Sequence, residues 1–199
     1  MSKPDKVATT LLPRLRFPEF RDAEPWEEKM LGKLILTVTP PKKLQTVDYA
    51  ISGEYPIIDQ SQDFICGWTG DEDAIIREDF PLIVFGDHTC VLKLVEQPFA
   101  QGADGIKILD TKEEITVDFL NQFLQAVPLE MKGYRRHFSL LKEKKVFYPD
   151  IETGEQQKIA ACLSSLDDLI AAERRKVEAL ERHKKGLMQQ LFPDPDEAA

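Results

Sequence analysis

The sequence predicts an α+β fold in two parts. A mixed, mostly antiparallel sheet with a few helices occupies residues 1–150, and one long C-terminal helix occupies 151–193. Three observations predict it. Short apolar runs rich in branched and aromatic residues recur between Leu31 and Tyr148, too closely spaced for repeated βαβ crossovers. One helical-period segment interrupts them. Beyond Thr153 an apolar repeat of 3.5 residues is held for more than four heptads.

The expected strands are Leu34–Val38, Leu82–Phe85, Cys90–Val95, Ile106–Leu109 and Val146–Tyr148. Turn chemistry separates them at Pro40-Pro41, Ser52-Gly53, Gly70-Asp71, Gly86-Asp87 and Gly102 to Gly105. Within this set Thr116 can cap a helix whose face is Phe119, Leu120, Phe123, Leu124 and Val127, ended by Pro128. Thr153-Gly-Glu-Gln156 has the spacing of a capping box, and Phe192-Pro193 marks the far end of the long helix.

Between those marks, the positions following a 4-3-4-3 spacing are Ile159, Leu163, Leu166, Ile170, Glu173, Val177, Leu180, Lys184, Leu187 and Leu191. Eight of the ten are apolar, which is a coiled-coil seam expected to pair with another helix. About 36 residues at roughly 1.5 Å each make a rod on the order of 54 Å. In an antiparallel pair the two charged seam residues, Glu173 and Lys184, can face each other. The tail 194–199, with Asp194, Asp196 and Glu197, is expected to be disordered.

Composition bounds the function. The 199 residues carry 35 acidic and 26 basic side chains, a net charge of −9, which argues against a protein that coats nucleic acid or anionic membrane with its whole surface. The charge is uneven, however. Residues 1–130 hold 13 basic and 23 acidic residues, whereas 131–149 hold six basic residues against Glu143 alone. Cys66, Cys90 and Cys162 are odd in number and far apart, so they form neither a disulfide framework nor a C-x-x-C site, and a reducing cytoplasm is expected. The first 30 residues lack an apolar signal region and no apolar run reaches membrane-spanning length, so no membrane partner is expected.

Three segments are candidates for chemistry. Gly86-Asp87-His88-Thr89 places an imidazole and a carboxylate at a strand end, as a tight turn, a ligand-facing loop or half of a hydrolase triad using Asp87 and His88. No serine or cysteine stands in a nucleophile-elbow context, and no metal-ligand spacing is present. Gln101-Gly-Ala-Asp-Gly-Ile-Lys107 reads equally as a bulged hairpin turn or as a loop contacting a ligand, and its glycine spacing matches neither nucleotide-binding pattern. Lys132-Gly-Tyr-Arg-Arg-His-Phe138 interleaves cations with aromatics on the basic segment, where Arg can grip phosphates or a guanine edge and Tyr can stack.

The ends of the chain carry a resemblance. Leu12-Pro-Arg-Leu-Arg-Phe-Pro-Glu-Phe20, Trp26-Glu27 and Leu31-Gly32 resemble the start of specificity subunits of type I restriction-modification enzymes. Gly154-Glu-Gln-Gln-Lys-Ile-Ala160, Leu163-Ser-Ser-Leu-Asp-Asp-Leu-Ile170 and His183-Lys-Lys-Gly-Leu-Met-Gln-Gln-Leu-Phe-Pro193 look like that family's conserved helix. The resemblance implies a non-catalytic subunit in which 1–150 is a target recognition domain and 151–193 a dimerisation and spacer helix. With one domain and one helix the chain looks like a half-length form, which pairs as a homodimer or with a different half.

The partners so implied are double-stranded DNA, DNA adenine methyltransferase subunits, restriction subunits through the complex, and a second copy of the chain. S-adenosylmethionine, ATP and Mg are expected on the partner subunits, and no cofactor in this chain. Candidate DNA contacts are Lys132, Tyr134, Arg135, Arg136 and His137, then His88, Lys93, Gln101 and Lys107. The alternatives are a coiled-coil interaction scaffold without DNA readout, or a small hydrolase using Asp87 and His88.

Overall fold

The computed structural model describes residues 11–192 apart from 78, 104, 131, 132, 134 and 135. Its strands are β1 (Glu27–Met30), β2 (Ile35–Val38), β3 (Tyr55–Ile58), β4 (Gly67–Thr69), β5 (Ile75–Ile76), β6 (Leu82–Gly86), β7 (Leu92–Val95), β8 (Phe99–Gln101), β9 (Ile106–Thr111) and β10 (Lys145–Tyr148). Its helices are α1 (Leu31–Leu34), α2 (Val117–Ala126), α3 (Phe138–Lys142) and α4 (Glu155–Leu191). The α+β class and the long C-terminal helix are as the sequence predicts. The strands, however, form three sheets rather than one: a β1-β10 ribbon, a sheet in the order β2-β9-β6-β7 and a sheet in the order β4-β3-β8-β5. Every pairing is antiparallel except β3 with β8.

β6 is buried along its whole length, as a continuous apolar run requires. One face of it, Leu82 and Val84, meets Ile58, Ile76, Val95, Phe99, Ile106 and Ile108 in the core. A second cluster of Leu44, Ile57, Ala74, Ile75 and Ala100 lies on the β3-β8-β5 sheet. The capping role of Thr116 is realised, its hydroxyl accepting from the Phe119 amide at 3.3 Å. Phe119, Leu120 and Leu124 of α2 are buried, while Phe123 packs edge-on to Phe147 and Val127 stays exposed at the helix end.

Two sequence expectations are corrected. The strand read from Cys90 starts only at Leu92, because Cys90 takes a left-handed conformation (φ 56°) and donates its amide back to the Gly86 carbonyl at 2.8 Å. The capping box at Thr153 does not close. Gly154, with φ +76°, separates a short 3-10 turn (Ile151–Thr153) from α4, a conformation that favours glycine. Gln156 turns away from the cap: its amide nitrogen donates to the carbonyls of Pro149 and Glu114, and its oxygen accepts from the Thr116 amide. Beside it, Arg16 and Glu155 form a buried ion pair at 2.6 Å.

The chain divides between Ile159 and Ala160 into a body and a helical unit. In the helical unit the seam side chains Leu166, Ile170, Val177, Leu180, Leu187 and Leu191 are all exposed, from 42% at Leu187 to 73% at Leu191. No helix of the described residues is long and apolar enough to cross a membrane. The acidic tail 194–199 lies outside the described residues.

Candidate nucleic-acid interface

The turn after β6 organises the candidate site. Asp87 is buried and reaches two other segments at once. Its amide donates to the Gly105 carbonyl at 2.6 Å, its carboxylate Oδ1 accepts from the amides of His137 and Phe138 at 2.9 and 2.7 Å, and its carbonyl oxygen lies 3.1 Å from the His137 Nδ1. A carboxylate held by two backbone amides at the start of α3 is an anchor for the basic segment. It ties the end of that segment to the loop between β8 and β9.

That loop is not a hairpin. β8 and β9 belong to different sheets, so 102–105 crosses from one to the other. Gly105 makes the crossing with φ +104°, and a Cβ there would sit 2.5 Å from the Gln60 side-chain nitrogen. The Ala103 amide donates to the Tyr49 hydroxyl at 2.8 Å, which fixes the other side of the loop. Tyr49 lies beside Cys66, and burial pushes the Tyr49 phenol up to about 12 and the Cys66 thiol up to about 11.

These connections bound a polar cleft of about 470 Å³ lined by Lys43, Gln60, Asp87, His88, Gly105, Ile106, Lys107 and Arg136. Lys107 stands opposite Phe85 in the β6-β9 register, and its ammonium lies 5.7 Å from the centre of the Phe138 ring. Lys142 reaches the same ring at 5.1 Å. Such contacts hold each cation over an aromatic face near the cleft. Three cations thus line a cleft in a chain of net acidic charge.

The structure brings His88, Lys107 and Arg136 together, and adds Lys43 and Gln60, which sequence reasoning did not single out. Lys43 arrives through an isolated parallel bridge to Gln101, a contact between segments far apart in the chain. The remaining candidates sit differently. Lys93 is buried, and its ammonium donates to the carbonyls of Asp59 and Asp63 at 2.8 and 2.5 Å, while burial lowers its pKa. Gln101 and His137 are buried as well and do not line the cleft. Lys132, Tyr134 and Arg135 lie outside the described residues. Among the described residues, no group of three or more His, Cys, Asp or Glu side chains is placed to hold a metal ion.

This body and helix have known counterparts. The chain is 26% identical over 186 residues to the type I restriction enzyme MjaVIII specificity subunit of Methanocaldococcus jannaschii, a match covering 86% of this chain and 43% of that protein. The crystal structure of the S subunit of a type I restriction-modification system from M. genitalium superposes with a TM-score of 0.62 at 21% identity, over 85% of this chain and 46% of that one. The chain shares the fold of type I specificity subunits. A further chain, from a structure addressing complex assembly and conformational transition of the type I restriction-modification system, matches with a TM-score of 0.60 at 19% identity, over 83% and 44%. No family model matches. The chain spans less than half the length of each of these relatives, so the specificity-subunit fold is present here as one body with one long helix.

Proposed function

We propose that this chain acts as the non-catalytic DNA sequence-recognition subunit of a type I restriction-modification complex. The observation that carries the reading is the match of this body and helix, over most of this chain, to type I specificity subunits: one body and one helix supply one reader and one strut of a two-reader arrangement. Each chain reads one half of a bipartite target. Two copies pair through the seam of α4, from Ile159 to Leu191, and so present two identical readers related by a two-fold axis. Methyltransferase subunits, carrying S-adenosylmethionine, dock on this pair, and restriction subunits with ATP and Mg join through the complex.

The reader is the cleft of Lys43, His88, Lys107 and Arg136, and Lys132, Tyr134 and Arg135, which precede Arg136 in the sequence, are further candidate contacts. Asp87 and His137 hold its shape, and Lys93 and Gln101 are buried away from its lining. Supporting this is the concentration of cations at one cleft of an otherwise acidic protein. The test is methylome sequencing of a host carrying the subunit with its methyltransferase. The expected result is one adenine-modified motif with two inverted, identical half-sites, lost in a Lys107→Ala/Arg136→Ala variant that still folds. Modification that does not depend on the subunit, or an unchanged motif in the variant, overturns the proposal.

A further inference from the structure

The seam of α4 carries more than an apolar stripe, because its two charged positions restrict how a second copy can be seated. Seven seam residues from Leu163 to Leu191 are exposed leucine, isoleucine or valine, an apolar face that calls for a partner. Glu173 and Lys184 interrupt it, and both are exposed. In the single chain Glu173 has Lys176 at 3.5 Å, a loose surface contact that is easily exchanged. A parallel in-register pair would set Glu173 against the partner's Glu173 and Lys184 against the partner's Lys184 within the seam. Both layers would be repulsive.

Antiparallel pairs differ by where the two-fold axis crosses the helix. With the axis at Arg175, Glu173 meets Val177 of the partner subunit and Lys184 meets Leu166 of the partner subunit. With the axis at Arg182, Glu173 meets Leu191 of the partner subunit and Lys184 meets Leu180 of the partner subunit. Each arrangement puts uncompensated charge against an apolar side chain. With the axis between Glu178 and Ala179, Glu173 meets the partner's Lys184, twice by symmetry. The same axis sets Leu166 on the partner's Leu191, Ile170 on the partner's Leu187 and Val177 on the partner's Leu180. On one flank Arg174 then faces the partner's Glu181, again twice. On the other, Lys176 faces the partner's His183, which adds no attraction.

We infer that the chain pairs with a second copy of itself antiparallel and in this one register, with Glu173–Lys184 layers on either side of a dyad between Glu178 and Ala179. The overlap runs over 166–191, and the two helix starts at Glu155 lie about 70 Å apart along the axis. Charge complementarity selects the register. Apolar layers supply most of the affinity. This rests on the homodimer of the proposed function and specifies its geometry.

The full chain is tested by sedimentation velocity across a concentration series, with far-UV circular dichroism to confirm helix content. Glu173→Lys and Lys184→Glu each turn two attractive layers into repulsive ones and raise the dimer dissociation constant about tenfold or more. The double variant Glu173→Lys/Lys184→Glu restores the attraction and returns to near the wild-type constant. An equimolar mixture of the two single variants forms the mixed dimer in preference to either homodimer. A wild-type dimer indifferent to the single changes, or weakened by them but not restored by the double variant, overturns the register and leaves the homodimer standing. A chain that stays monomeric throughout overturns both.

Discussion

Replacing Asp87 by alanine removes the acceptor of two backbone amides, those of His137 and Phe138, at 2.9 and 2.7 Å. Hydrogen bonds to a charged acceptor contribute roughly 1.5–3 kcal/mol each, and truncation leaves the donors buried without a partner. The His137 amide also lies 2.9 Å from the Asp87 carbonyl oxygen, so part of its satisfaction survives. The expected loss is therefore nearer the Phe138 bond plus half of the other, about 2–4.5 kcal/mol. For a chain of this length that lowers the melting temperature by roughly 4–18 °C. Asp87→Asn keeps an oxygen at the same place without its charge and costs about 1 kcal/mol. Urea denaturation with hydrogen exchange at the amides of residues 137 and 138 measures both effects. If Asp87→Ala stays within about 0.5 kcal/mol of wild type, or exchange quickens elsewhere but not at these amides, Asp87 is not the anchor of the basic segment.

Gly105→Ala strains a φ of +104° and pushes a methyl into the Gln60 amide, so it costs about 1–3 kcal/mol by urea denaturation, whereas Gly133→Ala, with open space around it, costs less. Arg16→Met leaves the Glu155 carboxylate, 1% exposed, without its cation and costs about 3–5 kcal/mol, most of it recovered in Arg16→Met/Glu155→Met. The raised pKa values of Cys66 and Tyr49 mean the folded protein holds both protons more tightly than the unfolded chain. Stability is therefore level below about pH 9 and declines as pH rises toward 12, which urea midpoints across that range will report, with a shallower decline for Tyr49→Phe. At about pH 8 iodoacetamide should label exposed Cys162 quickly and Cys66 only after unfolding.

What could be read from the sequence was what local pattern determines. The β6 run, the Thr116 cap and the heptads of α4 each announce themselves within a few residues, because burial on both faces, a hydroxyl cap and a 3.5-residue repeat leave a local trace. β1 leaves none. Its Glu-Glu-Lys-Met lies in a half-wet ribbon whose partner strand, Lys145–Tyr148, is more than 100 residues away in the chain. Gln156 has the spacing of a capping residue, yet the carbonyls of Glu114 and Pro149 compete for its amide and win, and no local rule names them. The site shows the same division. Basic and turn residues mark 86–89, 101–107 and 132–137 as candidates, but only the crossing between sheets decides that Lys107 and Arg136 line a cleft while Lys93 and His137 are buried away from its lining.

The same division applies to the charge. As a stretch of sequence, 131–149 carries the positive field, yet the fold redistributes it. Lys145 pairs with Glu28 at 2.6 Å, and Lys144 sits half-buried with its pKa lowered by desolvation. Among the described residues of the stretch, that leaves Arg136 and Lys142 near the cleft. Lys107 and Lys43, both from the acidic part of the sequence, join them there. The cationic surface is therefore assembled by topology rather than encoded as a run. If Lys43, Lys107 and Arg136 each meet a phosphate, one body contributes a salt slope of only about −3, and two bodies about −5 to −6. An acidic protein with so few phosphate contacts gains little from non-specific binding, and its affinity rises steeply only where two readers engage together. Under the proposed homodimer, pairing through α4 and discrimination between sequences become one physical requirement, met by the same seam.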